Sequence, residues 1–256
     1  MRDTSPARSR EAHTSRFAAT LMDLLDQVEY RRVRLEEVTD PVFRLRYQSY
    51  LREGFIDSNP QEIAGDGFDN APNAMGFGVY VDGRLVASIR LHHVTPQQRI
   101  SPSRLIYPDE LDGFLDAGLS YIDPSRFVTD HETTLSLPAL PFLTLRIAAM
   151  ASEYFAADYC LSSVRPEHAA FYKRVFGSVQ FAGERYYPGL KFPVCLYAAE
   201  VAEIRNRVAD RFPFFMSTPE EREAMFGPEG DSAGVSMVRP TARAAAIEER
   251  RFAPVG

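Results

Sequence analysis

GFGVYVDGRLVASIRLHHV, residues 76–94, holds two alternating apolar runs on either side of Asp82-Gly83. That pair tolerates positive φ, so the stretch predicts a β-hairpin. Counting from Val86, Ser88 and Arg90 share one face of the second strand, and Ala87, Ile89 and Leu91 share the other. A mid-strand arginine is either half-exposed or paired, and its partner has to come from elsewhere in the chain.

Upstream, SRFAATLMDLLDQVEY (15–30) spaces Phe17, Leu21, Leu24 and Leu25 as an amphipathic helix, and YRRVRLEEV (30–38) reads as a first strand. DPVFRLRYQSYLREGF (40–55) opens with Asp40 as N-cap and Pro41 in the first helical position. Its face carries Val42, Leu45, Arg46, Ser49 and Tyr50. Downstream, YIDPSRFVTD (121–130) reads as a strand, and residues 137–159, apolar nearly all round, as a buried helix. A strand (159–166), a helix ending at Gly177, a strand (192–201) and a closing helix (200–212) follow. This order predicts a mixed α/β sheet with helices on both faces. One domain is expected over 15–227, with residues 1–14 disordered and 228–256 a mobile tail.

The net charge of −6 gives no general basic footprint for nucleic acid. No apolar run reaches the roughly 18 residues of a membrane span, and no signal-type apolar core follows the N-terminus, so a cytoplasmic soluble protein is expected. Cys160 and Cys195, the only cysteines, lie in apolar strand-like stretches and read as buried free thiols. Every basic residue except Lys173 and Lys191 is an arginine, the side chain suited to bidentate carboxylate pairing.

Four places carry possible chemistry. Arg46 and Tyr50 are four apart and share a helical face. Asp66 and Asp69 lie in GDGFDNAPNAMG (65–76), a turn-rich loop whose spacing is not that of an EF-hand, and no metal is expected. Arg90 lies in the hairpin. In the strand 121–130, alternation places Asp123, Ser125 and Phe127 on one face and Arg126 and Val128 on the other, with Pro124 marking an edge or a bulge.

The order and spacing of these residues resemble those of the autoinducer (acyl-homoserine-lactone) synthases and, more closely, the N-acyl amino acid synthases. Both are branches of the GNAT acyltransferase superfamily. The resemblance spans about residues 30–200, and RPEHAAFYKRVFG (165–177) resembles a late GNAT motif whose tyrosine is matched by Tyr172. Autoinducer synthases carry a tryptophan about ten residues beyond the arginine matched by Arg46. This chain has no Trp, and Ile56 falls near that place. The family acid matched by Asp123 is usually Glu.

The resemblance implies a GNAT-like sheet and acyl transfer from a thioester to an amine. Asp123 would handle the amine proton, directly or through a water, and Tyr172 would protonate the leaving sulfur. Amides freed near Pro124–Val128 would serve the oxyanion. Arg46, Arg90 and Arg126 would order the site with Asp66, Asp69 and the carboxylate of an amino-acid substrate, while Tyr50, Ser125, Phe127 and Val128 complete its walls. Phe127, Phe142, Leu143, Ile147 and Met150 are suited to an acyl tunnel and equally to plain core. VTDHETTLSLPALP (128–141) stands where coenzyme A enzymes of the superfamily have a glycine-rich pyrophosphate loop, and it has no glycine. That favours an acyl-phosphopantetheine thioester on acyl carrier protein as co-substrate. Arginines in RRVR (31–34), with Arg44, Arg52, Lys173 and Arg174, would meet that acidic partner. An autoinducer synthase and an inactive acyl- or carrier-binding protein are the alternatives.

Overall fold

The computed structural model describes residues 15–187, 191–228 and 237–252. Strands β1 (Val28–Val33), β2 (Ala74–Val81), β3 (Arg84–Val94), β4 (Tyr121–Thr129), β5 (Tyr159–Val164), β6 (Val179–Tyr186), β7 (Pro193–Glu200) and β8 (Met237–Val238) form one sheet in the order β6-β7-β5-β4-β3-β2-β1-β8. The helices are α1 (Arg16–Leu24), α2 (Pro41–Arg52), α3 (Pro102–Ile106), α4 (Pro108–Asp116), α5 (His131–Ser136), α6 (Leu140–Tyr154), α7 (Ala169–Phe176), α8 (Val201–Arg211), α9 (Pro219–Phe226) and α10 (Ala242–Phe252).

The hairpin is β2–β3, with Asp82 and Gly83 at φ 48° and 75°, the left-handed conformation a tight turn requires. Asp40 caps α2 by accepting from the Val42 amide, and its carboxylate also binds Arg31. Gly177 ends α7 at φ 72°, as a left-handed cap should.

β3 divides the molecule. Ala87, Ile89 and Leu91 pack with Leu143, Ile147 and Met150 of α6 in the main core. The other face of β3 turns toward the side of α2. There Ser88, Arg90 and His92 are all fully buried, so a charged strand face is sealed from water and has to find its counter-charges inside the protein.

All ladders in this sheet are antiparallel except β4–β5. That parallel pair is joined only at Tyr121–Tyr159 and Ile122–Cys160. Beyond it β4 continues to Thr129 and β5 to Val164 with no pairing between them, so the sheet splits. Pro124, which has no N–H to offer, lies two residues past the last pair, where the β5-side edge of β4 has no strand beside it.

Of the two places expected for Pro124, an edge or a bulge, the structure gives the edge; the bulge of β4 is at Arg126 and Phe127, which together oppose Ile89, while Pro124 stays in register with Leu91. Arg126 takes φ 51°, so the simple alternation past Ser125 is lost and its side chain reaches the same carboxylate as Arg90. The segment expected as a mobile tail contributes β8, paired with β1, and α10, whose Ala242, Ala245 and Ala246 are buried. Residues 1–14, 229–236 and 253–256 lie outside the described residues. Finally, α3, α4 and the edge strand β6 were not expected. Ser101–Pro102 and Tyr107–Pro108, the latter followed by Asp109 and Glu110, were the helix-start signals for the first two.

Candidate active site

Asp66 caps a short 3-10 turn, Gly67–Asn70, and Asp69 lies within it, the two forming a capping box. The Asp66 carboxylate accepts from the Phe68 amide, and the Asp69 carboxylate accepts from the Asp66 amide. The turn therefore presents both carboxylates as one rigid unit to the polar face of β3. Arg90 donates to Asp66 Oδ1 at 2.5 Å and Oδ2 at 3.3 Å, to Ser125 Oγ at 3.0 Å, and lies 3.0 Å from Asp69 Oδ1. Arg46, on α2, reaches Asp69 Oδ1 at 2.8 Å with both side chains buried. Arg126 binds Asp66 Oδ2 at 2.5 Å through Nη2 and packs 5.3 Å from the Tyr50 ring. Five of the six charged groups expected to converge thus do so, three guanidiniums on two carboxylates with one net positive charge; the sixth, Asp123, lies apart.

The surroundings set the protonation of each group. Burial pushes Asp66 up, but the hydrogen bond and charge of Arg90, with Arg126, outweigh it and hold the carboxyl well below the usual range. Burial likewise pulls Arg126 down, and Tyr50 and Asp66 more than offset it. Arg46 goes the other way: burial lowers it, and Asp69 only partly compensates. Its Nε and Nη2 are buried without a hydrogen-bond partner, and the guanidinium lies 5.0 Å from the Phe43 ring. An arginine nevertheless stays charged.

Because the folded Asp66 titrates below the unfolded value of about 3.9, its contribution is complete above that pH and is lost as pH falls through the folded value. Asp66→Asn is expected to cost about 2–3 kcal/mol at pH 7. The gap to wild type should close below about pH 4, as read from urea unfolding at stepped pH.

Two members of the cluster, Arg90 and Arg126, border a cavity of about 590 Å³ that is lined by β4 and β5 along the split in the sheet. Arg90, Ser125, Arg126 and Tyr50 line its polar part. Phe127 and Val128 of β4, Leu145, Ala148 and Ala149 of α6, Cys160 and Val164 of β5, and Phe171, Tyr172 and Phe176 of α7 are among its other lining residues. Phe142, Leu143, Ile147 and Met150 are not among the lining residues; α6 turns a different stripe to the cavity, and those four pack in the main core. Tyr172 borders the cavity, and burial pushes its pKa up, so its hydroxyl stays protonated. Burial also pushes the Cys160 thiol up, to about 12, which leaves it inert as a nucleophile. Both cysteines are free.

Asp123 is placed differently from the other acids. It is fully buried and does not line the cavity. Its carboxylate accepts from Ser101 Oγ at 2.5 Å, the Ser103 amide at 2.9 Å and Ser103 Oγ at 2.6 Å. It therefore points at the start of α3 rather than into the open space. Of these three donors, only Ser103 borders the cavity. Across β3, His92 gives its Nε2–H to the Phe68 carbonyl at 3.1 Å, and burial keeps the ring neutral.

The arginines expected as a docking face are largely engaged: Arg31 with Asp40, Arg34 with Glu37 and Arg44 with Glu62, while Lys173 lies over the Tyr197 ring. Arg52 lines the cavity near its partner Glu53.

A sheet split between two parallel neighbours, with an apolar cavity in the opening and a tyrosine from the following helix, is the framework of a GNAT-type N-acyltransferase. The model of the N-acyl amino acid synthase FeeM family matches residues 41–200, and the chain belongs to that family. Among solved structures, FeeM, an N-acyl amino acid synthase from uncultured soil microbes, shares the fold with a TM-score of 0.57 and 24% identity, over 70% of this chain and 94% of that one. The acyl-homoserine-lactone synthase LasI shares it at a TM-score of 0.50 and 17% identity, over 68% and 89% of the two chains. No curated protein sequence matches the chain.

Proposed function

We propose that the protein moves a long-chain fatty acyl group from an acyl-carrier-protein thioester to the amino group of an amino acid. The observation that carries this reading is the meeting of two environments in one cavity, a cluster with surplus positive charge and a long apolar wall. The surplus charge suits an acceptor carboxylate, which the cavity-facing side of Arg126 would orient bidentately. The apolar wall suits a fatty chain.

The split supplies the rest. Past Cys160 the β4-side edge of β5 has no strand beside it, and it runs along the cavity. Such an edge can pair with the amides of an extended pantetheine arm, as a strand would. The segment after β4 supports a carrier-protein donor over one with an adenosine diphosphate. Asp130 caps α5 by accepting from the Thr133 amide and hydroxyl, so a carboxylate already holds a donor that a pyrophosphate would need. In this setting the amine attacks the thioester carbonyl, the tetrahedral oxyanion is met by amides near the bulge, and the thiolate departs beside Tyr172. With its pKa raised, Tyr172 serves that thiolate by donating a hydrogen bond, and the sulfur takes its proton from solvent.

The test is product analysis. Purified protein is given a hexadecanoyl-carrier-protein thioester and each of the twenty amino acids, and products are read by mass spectrometry. An N-acyl amino acid with stoichiometric free thiol is expected, and Tyr172→Phe should slow it by about 10²-fold. Turnover only with S-adenosylmethionine, or bound acyl group without product, would sink the proposal.

A further inference from the structure

Resting on that reading of the reaction, we infer that Ser103 and Ser163 form a two-hydroxyl relay that carries the proton of the acceptor amine across the split sheet to Asp123. The geometry fixes its direction. A serine hydroxyl has one proton, and that of Ser103 goes to Asp123 Oδ1 at 2.6 Å. The 2.7 Å contact between Ser103 and Ser163 is therefore made with the proton of Ser163. The resting chain runs from Ser163 through Ser103 to Asp123, and it leaves a lone pair of Ser163 Oγ for a group in the cavity.

Among the described residues, no other hydrogen bond links the Asp123 carboxylate to that space. Its other oxygen is taken by Ser101 Oγ and the Ser103 amide, and the carboxylate is fully buried. Ser103 and Ser163 both border the cavity and meet at its wall: Ser163 stands on β5, and Ser103 on α3 against β4.

The step balances. As the amine nitrogen bonds to the thioester carbon, its N–H bond breaks and an O–H bond forms at Ser163. The Ser163 proton moves to Ser103, and the Ser103 proton moves to Asp123, which ends neutral. The thiolate leaves with the electron pair of the carbon–sulfur bond, and Asp123 returns its proton to solvent along the same chain. Ser101 stands apart from the relay, because its hydroxyl also accepts the Arg104 amide and anchors α3. It is a positioning residue.

The experiment measures kcat and KM for the best acceptor, across pH, in wild type, Ser103→Ala, Ser103→Thr, Ser163→Ala, Asp123→Asn and the double variant Ser103→Ala/Asp123→Asn. Ser103→Ala is expected to lower kcat about 10²-fold at little changed KM. Ser103→Thr should restore most of kcat, and the double variant should be no slower than Asp123→Asn alone. Should Ser103→Ala fail to fold, Ser163→Ala decides, since it leaves all three hydrogen bonds to Asp123 in place. A kcat for Ser163→Ala and Ser103→Ala within threefold of wild type overturns the relay, as do losses that multiply in the double variant. A wild-type protein that acylates no amino acid overturns the reading of the function instead.

Discussion

Glu221→Ala should lose about 3–5 kcal/mol of folding stability, the cost of leaving a buried cation without its partner. Glu221 and Arg146 have no exposed side-chain surface. Arg146, on α6, meets both carboxylate oxygens of Glu221, at 2.5 and 2.8 Å, and donates to the carbonyls of Phe214 and Met216 at 2.9 and 2.5 Å. Glu221 in turn accepts from the amide and hydroxyl of Thr241. One ion pair therefore fastens α6, the 3-10 turn Pro213–Phe215, α9 and the start of α10. Burial alone would lower the Arg146 pKa, and Glu221 more than reverses it, so the cation stays charged. Truncating Glu221 leaves that charge in the core beside Tyr30, whose ring lies 5.7 Å away. For a domain with a total of about 5–15 kcal/mol, such a loss is a large share of its stability. Arg146→Met/Glu221→Leu should cost less than the sum of its parts, since neither charge is stranded, although two carbonyls lose a donor. Urea unfolding midpoints for the four proteins check this; additive losses would mean the pair does not act as a unit.

Glu221, one half of that pin, lies outside the region shared with the family model, which ends at residue 200, and nothing in the sequence announced the pair. Arg146 sits in a helix apolar on every side, so periodicity could not say which stripe faces a cavity and which faces core. The same ambiguity left Phe142, Leu143, Ile147 and Met150 open between tunnel and core, and they pack in the core. In α10 the buried residues are alanines, too small to give a sharp apolar stripe, and β6 buries only Ala182, so it shows no alternation. The hairpin was legible because two alternating runs and a turn pair agree locally. Arg46, Asp66, Asp69, Arg90 and Arg126 were legible by another route. They are scattered over eighty positions, and only their order, matched to a family, joined them; physically, what joins them is a capping box facing a buried strand. Ser101 and Ser103 escaped because a five-residue helix offers little pattern, and serine after a loop is ordinary.

Arg126→Met should lower kcat/KM for the amino acid by about 10³-fold, equivalent to about 4 kcal/mol of lost transition-state binding. Of the three arginines, Arg46 and Arg90 have no exposed side-chain surface, while Arg126 keeps 11% and borders the cavity at the turn of the bulge. Its left-handed backbone is a cost that a plain strand residue would avoid, and it is what brings the guanidinium beside Asp66 and Tyr50. Removing it still leaves Asp66 held by Arg90 through two contacts, so the fold should survive, with a melting temperature close to wild type. The decisive comparison pairs the variant with a second acceptor, the amine that lacks the carboxylate. Wild type should prefer the amino acid by a factor similar to the mutational loss. In Arg126→Met that preference should collapse, because both acceptors then lack the same contact. Arg126→Lys should recover only part of it, since an ammonium provides charge without the planar fork. An undiminished preference in Arg126→Met would show that the carboxylate is read elsewhere, and Arg90, which also borders the cavity, would be the next position to test.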